Sequence, residues 1–272
     1  MNGTLYVIST PIGNLEDITL RSLRLLKTLE HIACEDTRTT RSLMQKLEIE
    51  LHHHLFSYHE HNEIKATEKM LNLLRSGIDV GLVSDAGMPG ISDPGYRVIS
   101  RAVEEGFKVE VAPGASAVQT ALIASGLPFS SYTFKGFPPR KEGKRRKFFE
   151  DEKNLPHTII FFESKFRIIK AMESAYAVLG NRIAVVCLEL TKQYETIIRA
   201  PLSEMREMLE KSDLRGEITA LIAGANPKFT DEEDDSEFED PDEIESEEFE
   251  EKKRVSKYKL KKMESEEEDE ES

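Results

Sequence analysis

Short apolar runs alternate with stretches in which apolar residues recur every three or four positions, and that rhythm sets the reading of the first half. Leu5–Ser9, His31–Cys34, Leu55–Tyr58, Asp79–Val83 and Lys108–Val111 predict five strands. Between them, Ile18, Leu20, Leu23, Leu25, Leu26 and Leu29 keep helical spacing, with Asp17 or Thr19 as N-cap. Further helices are predicted over Thr39–Leu47, Glu63–Ser76, Gly95–Glu105 and Ala115–Ser125. Strands that alternate with helices imply a largely parallel sheet covered on both faces.

Gly126-Leu127-Pro128 interrupts the pattern and marks a joint. Beyond it, strands are predicted at Thr133–Phe137, Thr158–Glu163, Ile183–Leu190, Glu195–Arg199 and Ile218–Ala223, and helices at Lys144–Lys153, Arg167–Leu179 and Leu202–Lys211. The third and fourth of these strands are separated by a few residues only, which makes them antiparallel neighbours in a mixed sheet. The expected organisation is an α/β domain over residues 1–127, a second α/β domain over 128–226, and a tail over 227–272. The tail cannot build a core and reads as a disordered acidic polyampholyte with a basic island at Lys252–Lys262.

Charge changes meaning once it is located. The whole chain of 272 residues carries a net −14, but Thr230–Ser272 holds 22 Asp+Glu against 7 Lys+Arg. The remainder has 29 acids and 30 bases, so the body is neutral and leaves room for a local basic patch. The two cysteines, Cys34 and Cys187, sit in separate apolar runs and form neither a disulfide framework nor a metal motif, as expected of a reducing compartment. No run reaches membrane-spanning length and the start lacks a basic leader, so the expectation is a cytoplasmic protein without membrane attachment.

The richest segment is Val83–Tyr96, where an apolar run enters three glycines, two prolines and the aspartates Asp85 and Asp93 before a helix. Glycine lets a backbone approach a ligand, and a helix start offers free N–H groups. The loop has no lysine or arginine, so its carboxylates suit hydroxyl or ammonium groups better than phosphate. Alone it reads as an ordinary turn, but it has company. In a parallel α/β sheet, ligands lie beyond the carboxyl ends of the strands. There stand Thr10–Leu15, Glu35–Arg38, Ser57–Asn62, Ser84–Gly95 and Pro113–Ser116, all small, polar or glycine-rich, while loops at the other end, such as Arg75–Ile78, are plain connectors.

Thr10-Pro-Ile-Gly-Asn-Leu15, Glu35-Asp-Thr-Arg38, Ser57-Tyr-His-Glu-His-Asn62, Ser84–Gly95, Pro113-Gly-Ala-Ser116 and Glu189-Leu-Thr-Lys192 occur in that order. Together they resemble the bacterial small-subunit ribosomal RNA 2′-O-methyltransferases, a branch of the tetrapyrrole methylase superfamily, over about residues 3–225. The resemblance implies a two-domain α/β fold, with S-adenosylmethionine in the cleft between the domains. It also implies methyl transfer to the ribose of a cytidine in the decoding centre (P site) of 16S ribosomal RNA, within the small subunit. Pro11, Ile12, Gly13, Asp85, Ala86, Gly87, Met88, Ser116 and Ala117 are then the expected cofactor contacts. Ile12 and Met88 can cover an adenine, Asp85 can meet a ribose hydroxyl or the amine, and the helix start at Ser116 can hold a carboxylate. The alternative for Ile12 and Met88 is plain core filling. A homodimer stays open.

Methyl transfer to a ribose hydroxyl needs alignment and a proton acceptor. Candidates are Glu35, Asp36, His59, Glu60 and His61, and the favoured catalytic group is Glu35, Asp36 and Arg38. Equally, Arg38 can pair with Asp36 and simply pin the loop. His59 and His61 alternate, so only one faces the cleft if the segment is extended. His52-His53-His54 are adjacent in sequence and cannot converge on one ion in regular structure, so no metal site is expected, although RNA can bring magnesium.

Arg140, Lys141, Lys144, Arg145, Arg146 and Lys147 place six basic residues in eight, followed by Phe148 and Phe149, and are expected to contact RNA rather than form a plain solvated face. The chain departs from the family pattern at Glu163–Arg167, where Pro-His is expected before the arginine, which puts a role for that turn in doubt. The tail either lies on the basic patch and competes with RNA or merely solubilises the chain. Three rivals remain. One is a methylase of a small tetrapyrrole-type substrate on the same fold. Another is a nucleotide hydrolase, for which the GxxxxGK[ST] motif is missing, since Arg145 follows Gly143-Lys144. The last is a ribosome-associated factor without catalysis.

Overall fold

The computed structural model describes residues 2–226. The tail from Pro227 onward, with its predicted disorder, basic island and competition with RNA, lies outside the described residues. The first five strands are β1 (Thr4–Ile8), β2 (His31–Cys34), β3 (His54–Ser57), β4 (Val80–Val83) and β5 (Lys108–Ala112). They form one sheet in the order β3-β2-β4-β1-β5, every pair parallel. Alternation along the strands sorts the core. Leu5 and Val7 of β1 join Val80 and Leu82 beneath α3 (Glu63–Arg75) and α4 (Tyr96–Glu104), while Ile8, Ile32, Cys34 and Val83 pack against α1 (Leu20–Thr28) and α2 (Thr37–Lys46).

The second sheet holds β6 (Tyr132–Phe134), β7 (Thr158–Ser164), β8 (Ile183–Leu188), β9 (Thr196–Pro201) and β10 (Glu217–Ile222), ordered β6-β7-β10-β8-β9. Only β6–β7 is parallel, so the sheet is mixed, as the short β8–β9 connection implied. Helices α6 (Glu142–Glu150), α7 (Ile168–Leu179) and α8 (Leu202–Glu210) cover one face, meeting Phe161, Val186, Ile218 and Ala220. The opposite face carries Ile160, Val185, Cys187 and Leu221, and α5 (Ala117–Ser125) packs on it through Val118, Ala121 and Leu122. The chain therefore passes from one sheet to the other ahead of α5. Among the described residues no helix is long and apolar enough to cross a membrane.

Most predicted elements recur with ends moved by one or two residues, and the larger shifts have local causes. Helix α2 starts at Thr37 because Asp36 caps it, its Oδ1 accepting the Arg38 N–H at 2.8 Å. Helix α5 starts at Ala117 because Ser116 is the cap. Helix α1 takes Thr19, not Asp17, as its cap; Asp17 ends a separate 3-10 turn, Leu15–Asp17. Strand β6 stops at Phe134 rather than Phe137, since the chain turns away at Gly136 in a left-handed conformation (φ 62°). Helix α6 begins and ends earlier than the predicted Lys144–Lys153, with Lys141 as its cap.

Candidate active site

The loops beyond β1, β4 and β5 are tied together by their own backbones. Thr10 and Gly87 exchange N–H···O bonds of 2.9 and 3.1 Å, an isolated antiparallel bridge between the β1 and β4 loops. The Thr10 hydroxyl donates to the Ser84 carbonyl at 3.2 Å, and the Ser9 hydroxyl donates to the Ala115 carbonyl at 3.2 Å. Gly87 sits at φ 79°, the left-handed region that glycine enters without a Cβ clash. The β2 and β4 loops brace each other through carboxylates. The Asp85 N–H donates to Glu35 Oε2, and the Asp36 N–H donates to Asp85 Oδ1, both at 3.2 Å.

From the second sheet, the β8–β9 loop closes against the β1 loop. The Asn14 N–H donates to Thr191 Oγ1 at 3.1 Å. Lys192 Nζ lies 2.8 Å from Glu189 Oε1 and 3.7 Å from Glu217 Oε2. Glu189 and Thr191 hold positive φ values of 52° and 65°, a strained conformation for residues with side chains that this contact maintains. Gly13 fits beneath it only because it lacks a Cβ, which would stand 2.5 Å from Lys192 Cγ and 2.7 Å from Thr191 Oγ1. Gly13→Ala is expected to cost about 1–3 kcal/mol. Thermal unfolding checks this.

Between these walls lies a cavity of about 420 Å³, within the range of small-molecule sites. Ile12, Glu35, Asp85, Ala86, Gly87 and Met88 line it, as do Ser116 and Ala117 at the start of α5. Pro11 and Gly13 do not. They face an open groove alongside, together with Asp36 and Arg38. Six carboxylates line the cavity against the single Lys192: Glu35, Asp85, Asp93, Glu163, Glu189 and Glu217. Glu189 is held below the usual carboxylate range by Lys192, whereas burial pushes Glu35 and Asp85 up. Asp93 is pushed up to about 7, first by burial and then by the charge of Glu35. The sequence marked Asp93 as the second carboxylate of the richest loop, but the family motif did not place it among the expected contacts.

The Glu35–Arg38 segment divides into two roles. Arg38 grips Asp36 through Nε at 3.1 Å and Nη2 at 2.7 Å, which holds the Asp36 carboxyl down at about 2. Asp36 is thereby committed to Arg38 and to the cap of α2, leaving Glu35 as the carboxylate that faces the cavity. His59 and His61 line neither cavity nor groove. Their segment turns instead of extending, the His59 N–H donating to Asn62 Oδ1 at 2.9 Å, and the two rings meet edge to face. His52 stacks on His53 while His54 stacks on His31, so the three adjacent rings point to different neighbours. Both cysteines are buried, with their thiols pushed up to about 11 and 12 by that burial.

The turn that departs from the family pattern is part of the site. Glu163 is 3 % exposed, accepts the Ser164 N–H at 2.7 Å and pairs with Arg167 at 2.5 Å. Both Glu163 and Ser164 face the cavity, next to Phe162. Arg140 and Lys141, just ahead of α6, and Lys144, Arg146 and Lys147 on it are exposed. Arg145 differs: its Nε donates to Ser174 Oγ at 2.9 Å and its Nη1 to the Arg140 carbonyl at 3.0 Å, fastening α6 to α7. Phe148 and Phe149 are not available for base stacking. Phe149 is fully buried, and both rings pack on Phe161.

The chain matches the model of the tetrapyrrole (corrin/porphyrin) methylases over residues 4–206. It is 44 % identical to a ribosomal RNA small subunit methyltransferase I of Halalkalibacterium halodurans, over 85 % of this chain and 79 % of that protein. It is 42 % identical to the protein of that name from Bacillus subtilis, again over 85 % and 79 %. Among solved structures, a cobalt precorrin-4 methyltransferase of cobalamin biosynthesis superposes with a TM-score of 0.58 at 18 % identity, covering 81 % of this chain and 94 % of that one. A sheet order, a walled cavity and motifs in register thus coincide with identity along nearly the whole described body, and the chain belongs to the tetrapyrrole methylase family, among the ribosomal RNA small subunit methyltransferase I proteins.

Proposed function

We propose that this protein transfers a methyl group from S-adenosylmethionine to the ribose 2′-oxygen of a cytidine in the decoding centre of 16S ribosomal RNA, acting on the small subunit in the cytoplasm. The observation that carries the reading is the charge of the cavity. With Glu163 answered by Arg167 and Glu189 and Glu217 by Lys192, the carboxylates of Glu35, Asp85 and Asp93 make no ion pair among the described residues. That suits a ligand bearing sulfonium and ammonium groups and opposes a polyphosphate or a polyanionic tetrapyrrole. The apolar side chains of Ile12, Met88 and Leu190 offer surface to an adenine, and the start of α5 at Ser116 offers N–H groups to a carboxylate. Asp85 and Asp93 face the cationic groups. When bound, S-adenosylmethionine supplies an activated methyl group.

The chain's own residues do the rest. Asp36 and Arg38 hold the start of α2 rigid, so that Glu35 keeps one position at the cavity wall. Glu35, raised by burial, is the acceptor of the hydroxyl proton, and its partly desolvated setting brings its basicity closer to the working pH. The loop bridge at Thr10–Gly87 fixes the wall against which donor and acceptor are aligned. The exposed lysines and arginines of α6 contact phosphates at a distance from the reaction. Incubation with tritiated S-adenosylmethionine and either unmodified small subunits or a uroporphyrinogen should label the RNA and not the tetrapyrrole; label in the tetrapyrrole alone would replace the substrate assignment.

A further inference from the structure

The open groove beside the cavity has a wall built by one face of α2. Arg38, Ser42 and Lys46 recur every four residues, with Thr39 and Leu43 between them. The groove measures about 630 Å³ and shares Ile12, Asp85, Ala86, Lys192 and Glu217 with the cavity, so the two are continuous. From Arg38 to Lys46 the helix rises about 12 Å, further than the step of about 3.4 Å between stacked nucleotides of one strand.

Charge is graded along this wall. Near the cavity, Arg38 is engaged by Asp36, and Lys192 by Glu189 and Glu217. At the far end, Lys46 is exposed and pairs with no carboxylate among the described residues. A fitting ligand therefore brings a neutral polar group to the carboxylates at the cavity and an anion to Lys46, two helical turns away. A free nucleotide places its phosphate too close to its ribose for that.

We propose that the groove along α2 is the track of the single-stranded substrate RNA, with Lys46 and the outward N–H groups of Arg38 on phosphates flanking the nucleotide that enters the cavity. This rests on the proposed RNA methylation and names where the strand runs. Lys46 lies outside the donor cavity and acts by positioning.

Lys46→Glu and Lys46→Gln separate this from a structural effect, with Lys46→Arg as the conservative replacement. Expected is a KM for small subunits raised about tenfold for Lys46→Glu, and a salt slope of RNA binding lowered by about 0.7, the share of one phosphate contact on a single strand. The kcat, melting temperature and S-adenosylmethionine affinity should stay as in the wild type, and Lys46→Arg should restore KM. Wild-type methylation of the RNA together with an unchanged KM and salt slope in Lys46→Glu would overturn the proposal. A wild-type protein that transfers no methyl group to RNA would instead overturn the functional reading, and the strand's path with it.

Discussion

Reversing Lys144, Arg146 and Lys147 to glutamate is expected to reduce methylation of small subunits by roughly 100-fold or more at physiological salt while leaving S-adenosylmethionine affinity intact. The three side chains are exposed on α6 and are not among the residues that line the cavity. Each phosphate contact removed takes its released counterions with it, so the salt dependence of RNA binding should flatten by about 0.7 per contact on a single strand. Arg145 has to stay. Its guanidinium fastens α6 to Ser174 of α7, and changing it would confuse a lost phosphate contact with a loosened helix. Subunit-binding assays over a salt series check the expectation; equal loss of cofactor and RNA binding would point to a damaged fold.

Affinity for S-adenosylmethionine is expected to fall by up to tenfold per pH unit as pH drops below 7, and Asp93 is the reason. Its carboxyl sits at about 7 because burial, and then the charge of Glu35, disfavour its ionised form. A cation in the cavity favours ionisation, so binding releases a proton wherever Asp93 would otherwise hold one. Above pH 7 the group is already charged and affinity should level off. Calorimetry in buffers of different ionisation enthalpy measures the proton released, and Asp93→Asn should remove the release near pH 7, leaving the smaller contributions of Glu35 and Asp85 at lower pH. Stability carries the matching sign. Between the usual aspartate range and pH 7 the folded protein binds more protons than the unfolded chain. Asp93 therefore contributes a loss of stability as pH rises through that window, in the same direction as Glu35 and Asp85, and Asp93→Asn removes its share.

The near wall of the site was legible because turn chemistry is local. Glycine, proline and aspartate clusters at the ends of predicted strands mark loops, and the rule that ligands gather at the carboxyl ends of parallel strands selects the rim. The loops that hold Ile12, Asp85–Met88 and Ser116–Ala117 follow from that, while the resemblance to the methylase family singled out those residues within them. The far wall was not legible. Thr219 lies between Ile218 and Ala220 on β10, and period-two alternation says that it faces away from them but not what stands opposite. Only the packing of α5 across the second sheet brings Thr219, Phe162 and Glu163 up to the first half's loops. The Phe148-Phe149 pair misled for a related reason, since adjacency to lysines in sequence does not decide which face of α6 is buried. Arg38 pairs with Asp36, the alternative the sequence already offered for that group, whereas the cap that Asp36 also forms on α2 depends on backbone geometry that residue types alone do not show.

Mass spectrometry of 16S ribosomal RNA from a strain lacking this protein, with and without restored expression, tests the central claim most directly. The account predicts one cytidine in the decoding centre that gains a ribose methyl group when the protein is restored and lacks it otherwise. A methyl group found on a base, or a ribose methylation pattern unchanged between the two strains, would contradict it.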